Sequence, residues 1–167
     1  GSAVYRKTFE IENVEDVVSC VANISIDNRG DFYINGVNVG GTDVYEKAAS
    51  RDLTPHLRNG KNVVAVRAIN VGGSPNPGGI MGAFYVALKD GEKREYATDS
   101  SWKAIEEGSD ECLGLDYDDS QCVDSACLIE SGGAPWNVVT TVPFAKPSPA
   151  RYLSNVYLMK KDSNVKR

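Results

Sequence analysis

The sequence predicts an all-β fold, a two-sheet antiparallel β-sandwich of the jelly-roll kind. Three observations carry this. Apolar and polar residues alternate with a period of two, Asn-Gly and Asp-Gly turn signals separate the runs, and no stretch has the length and period of an ordinary helix. Many short strands joined by turns make a sandwich or a barrel.

The elements follow in order. Tyr5, Lys7, Phe9 and Ile11 alternate with Arg6, Thr8 and Glu10, which predicts a strand with one buried face. Val18, Cys20, Ala22, Ile24 and Ile26 form a second apolar face, with Cys20 inward and Asn23 outward. Asp31 to Asn35 leads into Asn35-Gly36, a hairpin signal because both residues tolerate positive φ, and Val37 to Val39 is the return strand. Asp52 to Leu57 reads as one short helical turn. Asn62 to Asn70 and Ile80 to Leu88 are apolar on both parities, as central strands covered on both faces are. Asp90-Gly91 turns into Lys93 to Thr98, Gly72 to Gly79 is a glycine- and proline-rich loop, and Arg151 to Met159 is a terminal strand after a linker-like stretch at 143–150.

The 167 residues fit one domain spanning 1–167. Hydrophobic residues at 41% and charged residues at 25% exclude a disordered chain. The longest apolar run, Ile80 to Leu88, is far short of the ~20 residues of a membrane helix, so no membrane partner is expected. A net charge of -5 repels phosphate backbones and argues against nucleic acid. The Gly1-Ser2 start resembles the scar of a removed tag, so a native leader would have been cut away, and the Asn23-Ile24-Ser25 glycosylation sequon is compatible with a secreted, extracellular protein.

Cys20, Cys112, Cys122 and Cys127 lack paired C-x-x-C spacing and neighbouring histidines, so metal binding is the weakest reading, behind disulfides and free thiols. Glu106 to Gly133 is acidic, cysteine-bearing and without periodicity, and reads as a long surface loop stapled by at least one disulfide among Cys112, Cys122 and Cys127.

Several motifs resemble one family. Ser25 to Gly40 (SIDNRGDFYINGVNVG), Asp52-Leu53-Thr54 with Leu57 and Gly60-Lys61-Asn62-Val63, Thr98-Asp99-Ser100-Ser101-Trp102, and Asp118-Asp119-Ser120 with Ala126 and Pro135-Trp136 occur in the order found in galactose-binding-like jelly rolls attached to glycoside hydrolases. The resemblance covers residues 4–142 and is nearest to the N-terminal and carbohydrate-binding domains of α-L-rhamnosidases. It implies a carbohydrate partner, rhamnose- or galactose-type, a catalytic domain in a longer native chain, and in some members a calcium ion holding the sugar. The sequence departs from the family at Cys122, where a tryptophan is usual. Trp102 is expected in the core.

Catalytic chemistry finds no support. His56, the only histidine, sits in the short turn. Asp116, Asp118, Asp119 and Asp124 crowd one loop instead of flanking a cleft as glycosidase carboxylates do; they read as a solvated loop, with cation binding second. No enzymatic activity is expected; beside a carbohydrate-binding module, the alternatives are a structural accessory domain of a glycoside hydrolase and a protein-binding adhesion domain, which would show an exposed apolar patch. A binding module needs only polar groups and an aromatic face on loops at one end of the sandwich. The candidates are Asp27, Asn28, Arg29, Tyr45, Asn70, Asn76, Trp136 and Asn137. Asp27 and Asn28 follow an alternating strand, where side chains pass from core to loop. Their carboxylate and amide suit a vicinal diol or calcium. The competing reading makes Asp27 a turn acceptor.

Overall fold

The computed structural model describes residues 1–72, 78–130, 140–141 and 155–159, and shows two packed sheets with no helix beyond three short 3-10 turns. The first sheet contains β1 (Ser2–Ile11), β3 (Arg29–Ile34), β4 (Val37–Thr42), β6 (Gly60–Ile69), β9 (Lys103–Glu106) and β10 (Val123–Asp124), in the order β10-β9-β1-β6-β3-β4. The second contains β2 (Val17–Asp27), β5 (Lys47–Asp52), β7 (Gly78–Leu88), β8 (Lys93–Ala97), β11 (Cys127–Glu130), β12 (Thr140–Thr141) and β13 (Asn155–Met159). Its order is β11-β13-β7-β2-β5-β12, with β8 also paired to β7. All pairings are antiparallel except that of β12 with β5.

The core lies between the sheets. Tyr5, Phe9 and Ile11 of β1, Phe32 and Ile34 of β3, and Val64, Val66 and Ala68 of β6 meet Cys20, Ala22, Ile24 and Ile26 of β2 and Ile80, Phe84 and Val86 of β7. Trp102 is fully buried among them, and its indole N–H donates to the Ala97 carbonyl at 2.8 Å. The two runs apolar on both parities are central strands: β6 lies between β1 and β3, and β7 lies beside β2.

The β2 pattern needs one correction. A bulge between Val17 and Ser19 shifts the register, so Val17 packs on the core while Val18 is 60% exposed. Asn23 is on the outer parity, yet only 6% exposed, paired between Ser50 and Ala83. The sequon is therefore closed to modification in the folded protein. The glycine-rich loop is also shorter than expected, because Gly78 and Gly79 already belong to β7.

The family-like motifs hold strand ends. Asn35, at φ 51°, and Gly36, at φ 85°, turn the β3–β4 hairpin. The Asn35 amide donates to the His56 carbonyl and to Asn62 Oδ1, and its own oxygen accepts from the Val63 N–H. Buried Asn62 in turn closes the Arg58–Gly60 turn through both carbonyls. Thr54 Oγ1 accepts from the Cys20 N–H at 2.8 Å, and Asp52 Oδ1 from the Thr54 N–H at 3.0 Å. The Thr98 hydroxyl binds both the N–H and the carbonyl of Gly82. These motifs specify the sandwich.

Candidate functional site

Three connections meet at one end of the sandwich: β2 to β3 through Asn28, β4 to β5 through residues 43–46, and β6 to β7 after Ile69. Asp27 closes β2 opposite Gly79, and Arg29 opens β3 opposite Ile69, so Asn28 carries the chain from one sheet to the other. The Asp27–Asn28 peptide is cis. The Asn28 N–H donates to the Ile69 carbonyl at 3.1 Å, and its Oδ1 accepts from the Val71 N–H at 2.7 Å. One asparagine thus ties two crossovers together.

Asp27 is 6% exposed. Burial and the nearby Glu46 carboxylate hold its carboxyl above the usual carboxylate range. Tyr45, half-buried, has its phenol raised chiefly by Glu46, and its backbone carbonyl accepts from the Ser25 hydroxyl, docking the β4–β5 loop onto β2. Asn70 exchanges backbone hydrogen bonds with Gly1, and its side chain packs over Gly78, where a Cβ would come within 2.8 Å of the amide. Asp27, Asn28, Arg29, Tyr45 and Asn70 therefore share one end. Asn76, Trp136 and Asn137 lie outside the described residues.

Beside Arg29 opens a cleft of about 410 Å³, lined by Arg29, Asp31, Thr42, Asp43 and Ile69 over Gly30 and Gly41. Of these only Arg29 was singled out from sequence. Glu46 was also missed, because a carboxylate in an exposed loop carries no pattern that separates it from ordinary solvated charge.

The acidic segment is not the stapled loop that its cysteines suggested. All four cysteines are free thiols: Cys20 and Cys112 are buried, Cys122 is half-buried and Cys127 is exposed. What orders the segment is Arg6, 1% exposed although it lies on the outward parity of β1. Its guanidinium donates to Asp119 Oδ2 at 3.0 Å and to the carbonyls of Cys112, Gly114 and Tyr117, and stacks 5.1 Å from the Tyr117 ring centre. Val4 and Ala65 from the sheet and Cys112 and Leu113 from the loop pack together as a small outer core. Five fixed donors on one side chain do the work assigned to a cross-link. The Tyr117 hydroxyl bonds the Cys112 and Cys122 thiols, which with burial push its pKa up to about 12.

Two further acids of this segment are individually engaged. Asp118 accepts from the Ser120 N–H, which lowers its pKa, and Asp124 pairs with Lys103 at 2.6 Å. Among the described residues no group of three or more His, Cys, Asp or Glu side chains forms a metal cluster.

No family model and no curated protein matches the sequence. Solved structures do. An α-L-rhamnosidase of Streptomyces avermitilis, determined with L-rhamnose, aligns with a TM-score of 0.73 and 26% identity over 84% of this chain and 14% of its own. A Pleurotus ostreatus lectin in complex with GalNAc aligns at 0.75 and 21%, over 87% of this chain and 42% of the lectin. An α-L-rhamnosidase of Dictyoglumus thermophilum aligns at 0.63 and 23%, over 84% and 18%. The chain has the galactose-binding-like fold. This galactose-binding-like domain spans under half the length of each of these proteins, and under a fifth of either rhamnosidase.

Proposed function

We propose that the chain is a non-catalytic carbohydrate-binding module, part of a longer extracellular protein. The observation that carries this is the convergence of Asp27, Asn28, Arg29, Tyr45 and Asn70 on one end of the sandwich, where Arg29 also lines an open cleft. Carboxylate, amide and guanidinium groups beside a phenol ring are what a pyranose requires: paired acceptors and donors for its hydroxyls, an apolar face for its C–H surface. Likeness to a lectin determined with GalNAc and to a rhamnosidase determined with L-rhamnose supports the same reading.

Calcium is part of the proposal. The Glu46 carboxylate is close enough to raise the cost of charging the buried Asp27, and a bound cation relieves that cost. These two carboxylates, with the Asn28 carbonyl oxygen, are hard oxygen donors of the kind Ca²⁺ prefers, and sugar hydroxyls or water would complete its shell. The cation would supply a Lewis-acidic anchor for a vicinal diol; orientation of the sugar rests on the protein side chains.

A second reading, a module that only braces a neighbouring catalytic domain, is favoured by the alignment to 14–18% of two rhamnosidases. A glycan array read with and without a chelator separates the two. The binding reading expects carbohydrate signal that Asp27→Ala abolishes while the melting temperature barely moves. Absence of signal on every glycan at high protein concentration favours the brace.

A further inference from the structure

Arg29 and Asp31 on the outer face of β3, and Asp43 in the loop after β4, converge on one cleft. Three cations of the same sheet are paired: Arg6 with Asp119, Arg67 with Asp110 at 2.7 Å, and Lys103 with Asp124. Asp31 lies directly across the ladder from Arg67, the neighbour most able to pair with it. Arg67 turns away instead, to Asp110 and the Gly108 carbonyl, which leaves Asp31 without an ion pair. No hydrogen bond or ion pair engages the side chains of Arg29, Asp31 or Asp43 among the described residues. All three line the 410 Å³ cleft.

The cleft is also shaped for them. A Cβ on Gly41 would run into the Asp31 carboxylate and the Gly30 carbonyl, so the absence of a side chain at Gly41 is what lets Asp31 lie flat against the β3–β4 ladder. Thr42 closes the far side by turning its hydroxyl to the Val44 N–H at 3.2 Å, which fixes the start of the loop bearing Asp43. The result is a shallow, open trough lined by two carboxylates, one guanidinium and the apolar side chain of Ile69.

Arg29 joins this trough to the site at Asp27 and Asn28. Two residues of chain span at most about 7 Å, on the scale of one sugar ring. We infer that the cleft is a second subsite that takes the next, uncharged sugar of an oligosaccharide whose terminal residue occupies the Asp27–Asn28 end. This rests on the carbohydrate-binding reading. Two carboxylates against one guanidinium repel uronate or sulfated sugars, whereas each carboxylate accepts two hydroxyls of a neutral ring and Arg29 donates to the bridging oxygens.

The test titrates the intact chain with L-rhamnose and N-acetylgalactosamine, and with neutral di- and trisaccharides that end in either sugar, by calorimetry. The wild type, Asp27→Ala and the double variant D31A/D43A are compared, with melting temperatures as the folding control and D31N/D43N as an isosteric second pair. The expected result is at least tenfold tighter binding of an oligosaccharide than of its terminal monosaccharide. D31A/D43A should lose that gain and keep monosaccharide affinity, and Asp27→Ala should lose both. If D31A/D43A and D31N/D43N bind the oligosaccharide as the wild type does, or lose the monosaccharide as well, the second subsite is overturned while carbohydrate binding stands. Binding of no sugar by the wild type overturns the proposed function and the subsite together. Tighter binding of a uronate-containing chain than of its neutral counterpart overturns the assignment to uncharged sugars.

Discussion

The Arg6 guanidinium, buried under the outer layer of the first sheet, meets the Asp119 carboxylate at 3.0 Å from a position 113 residues away in sequence. Arg6 sits mid-strand and cannot retreat to solvent, so Asp119 and the Cys112, Gly114 and Tyr117 carbonyls must come to it. Arg6 is the buried anchor that holds the acidic segment across β1 and β6, beside the Arg67–Asp110 and Lys103–Asp124 pairs. Replacing Arg6 by alanine leaves a carboxylate and three carbonyls without their donor. The expected cost is about 3 kcal/mol, measured by urea denaturation. Arg6→Lys should recover only part of it, since one ammonium cannot reach four acceptors in a fork. A loss below about 1 kcal/mol in Arg6→Ala would show that apolar packing at Leu113 and Cys112 holds the segment unaided.

The thiols give a second prediction. Burial, with a smaller contribution from Asp52, pushes the Cys20 thiol up to about 12, so it is neither exposed nor ionised at neutral pH. Native alkylation with iodoacetamide at pH 8 should modify Cys127 first and Cys122 more slowly, and leave Cys20 untouched until the protein unfolds. Mass spectrometry of the denatured, unreduced protein should count four free thiols. Rapid native labelling of Cys20, or a mass short by two hydrogens, would contradict this arrangement.

Most of the sandwich was legible because its signals are local. Period-two alternation marks β1 and β2, the Asn35-Gly36 turn fixes the β3–β4 hairpin, and apolar runs on both parities mark β6 and β7 as central. What escaped depends on tertiary context. Arg6 reads as an outward, solvated residue until a distant loop covers it, and the even count of cysteines suggested a cross-link where a buried guanidinium serves. β5, with the pattern Lys47–Asp52, has too few apolar residues to announce a strand and is held by its ladder to β2. At the candidate site the Asp27–Asn28 strand end was legible. Glu46, Asp31 and Asp43 were not, because only the fold reveals which of many carboxylates lie beside Asp27 or line the cleft at Arg29.

Asp27 gives stability a pH dependence opposite to that of a salt-bridged carboxylate. Its folded pKa is raised, by burial and then by Glu46, so the native state binds more protons than the unfolded state once pH passes the ordinary carboxylate value of about 4. Stability contributed by this group therefore falls as pH rises from about 4 to the raised folded pKa, and levels off above it. Asp27→Asn removes the penalty. The variant should melt at a higher temperature than the wild type at pH 7, and the difference should shrink toward pH 4. Calcium, if bound there, should narrow the gap at pH 7 by stabilising only the wild type. An Asp27→Asn variant that is less stable than wild type at pH 7 would mark Asp27 as a structural acceptor instead.

Two glycines with positive φ separate backbone conformation from space. Gly91, at φ 92°, turns the β7–β8 hairpin, and a Cβ there would meet no atom within 4 Å. Only the left-handed backbone opposes a side chain, so Gly91→Ala should cost about 1 kcal/mol. Gly82, at φ 149°, lies mid-strand in β7, against β2 on one side and the Thr98 hydroxyl on the other. A Cβ there would run into the Asn23 carbonyl oxygen and come 2.8 Å from the Ile24 Cα, both backbone atoms that no rotamer change can clear. The strands would have to part at the centre of the second sheet, where Ile24 and Phe84 fill the core. Gly82→Ala should therefore cost about 4 kcal/mol or more, enough to lower the yield of folded protein, whereas Gly91→Ala should express normally. Thermal denaturation of both variants decides the matter, and equal losses would mean that β2 and β7 can separate at this point without disturbing the core.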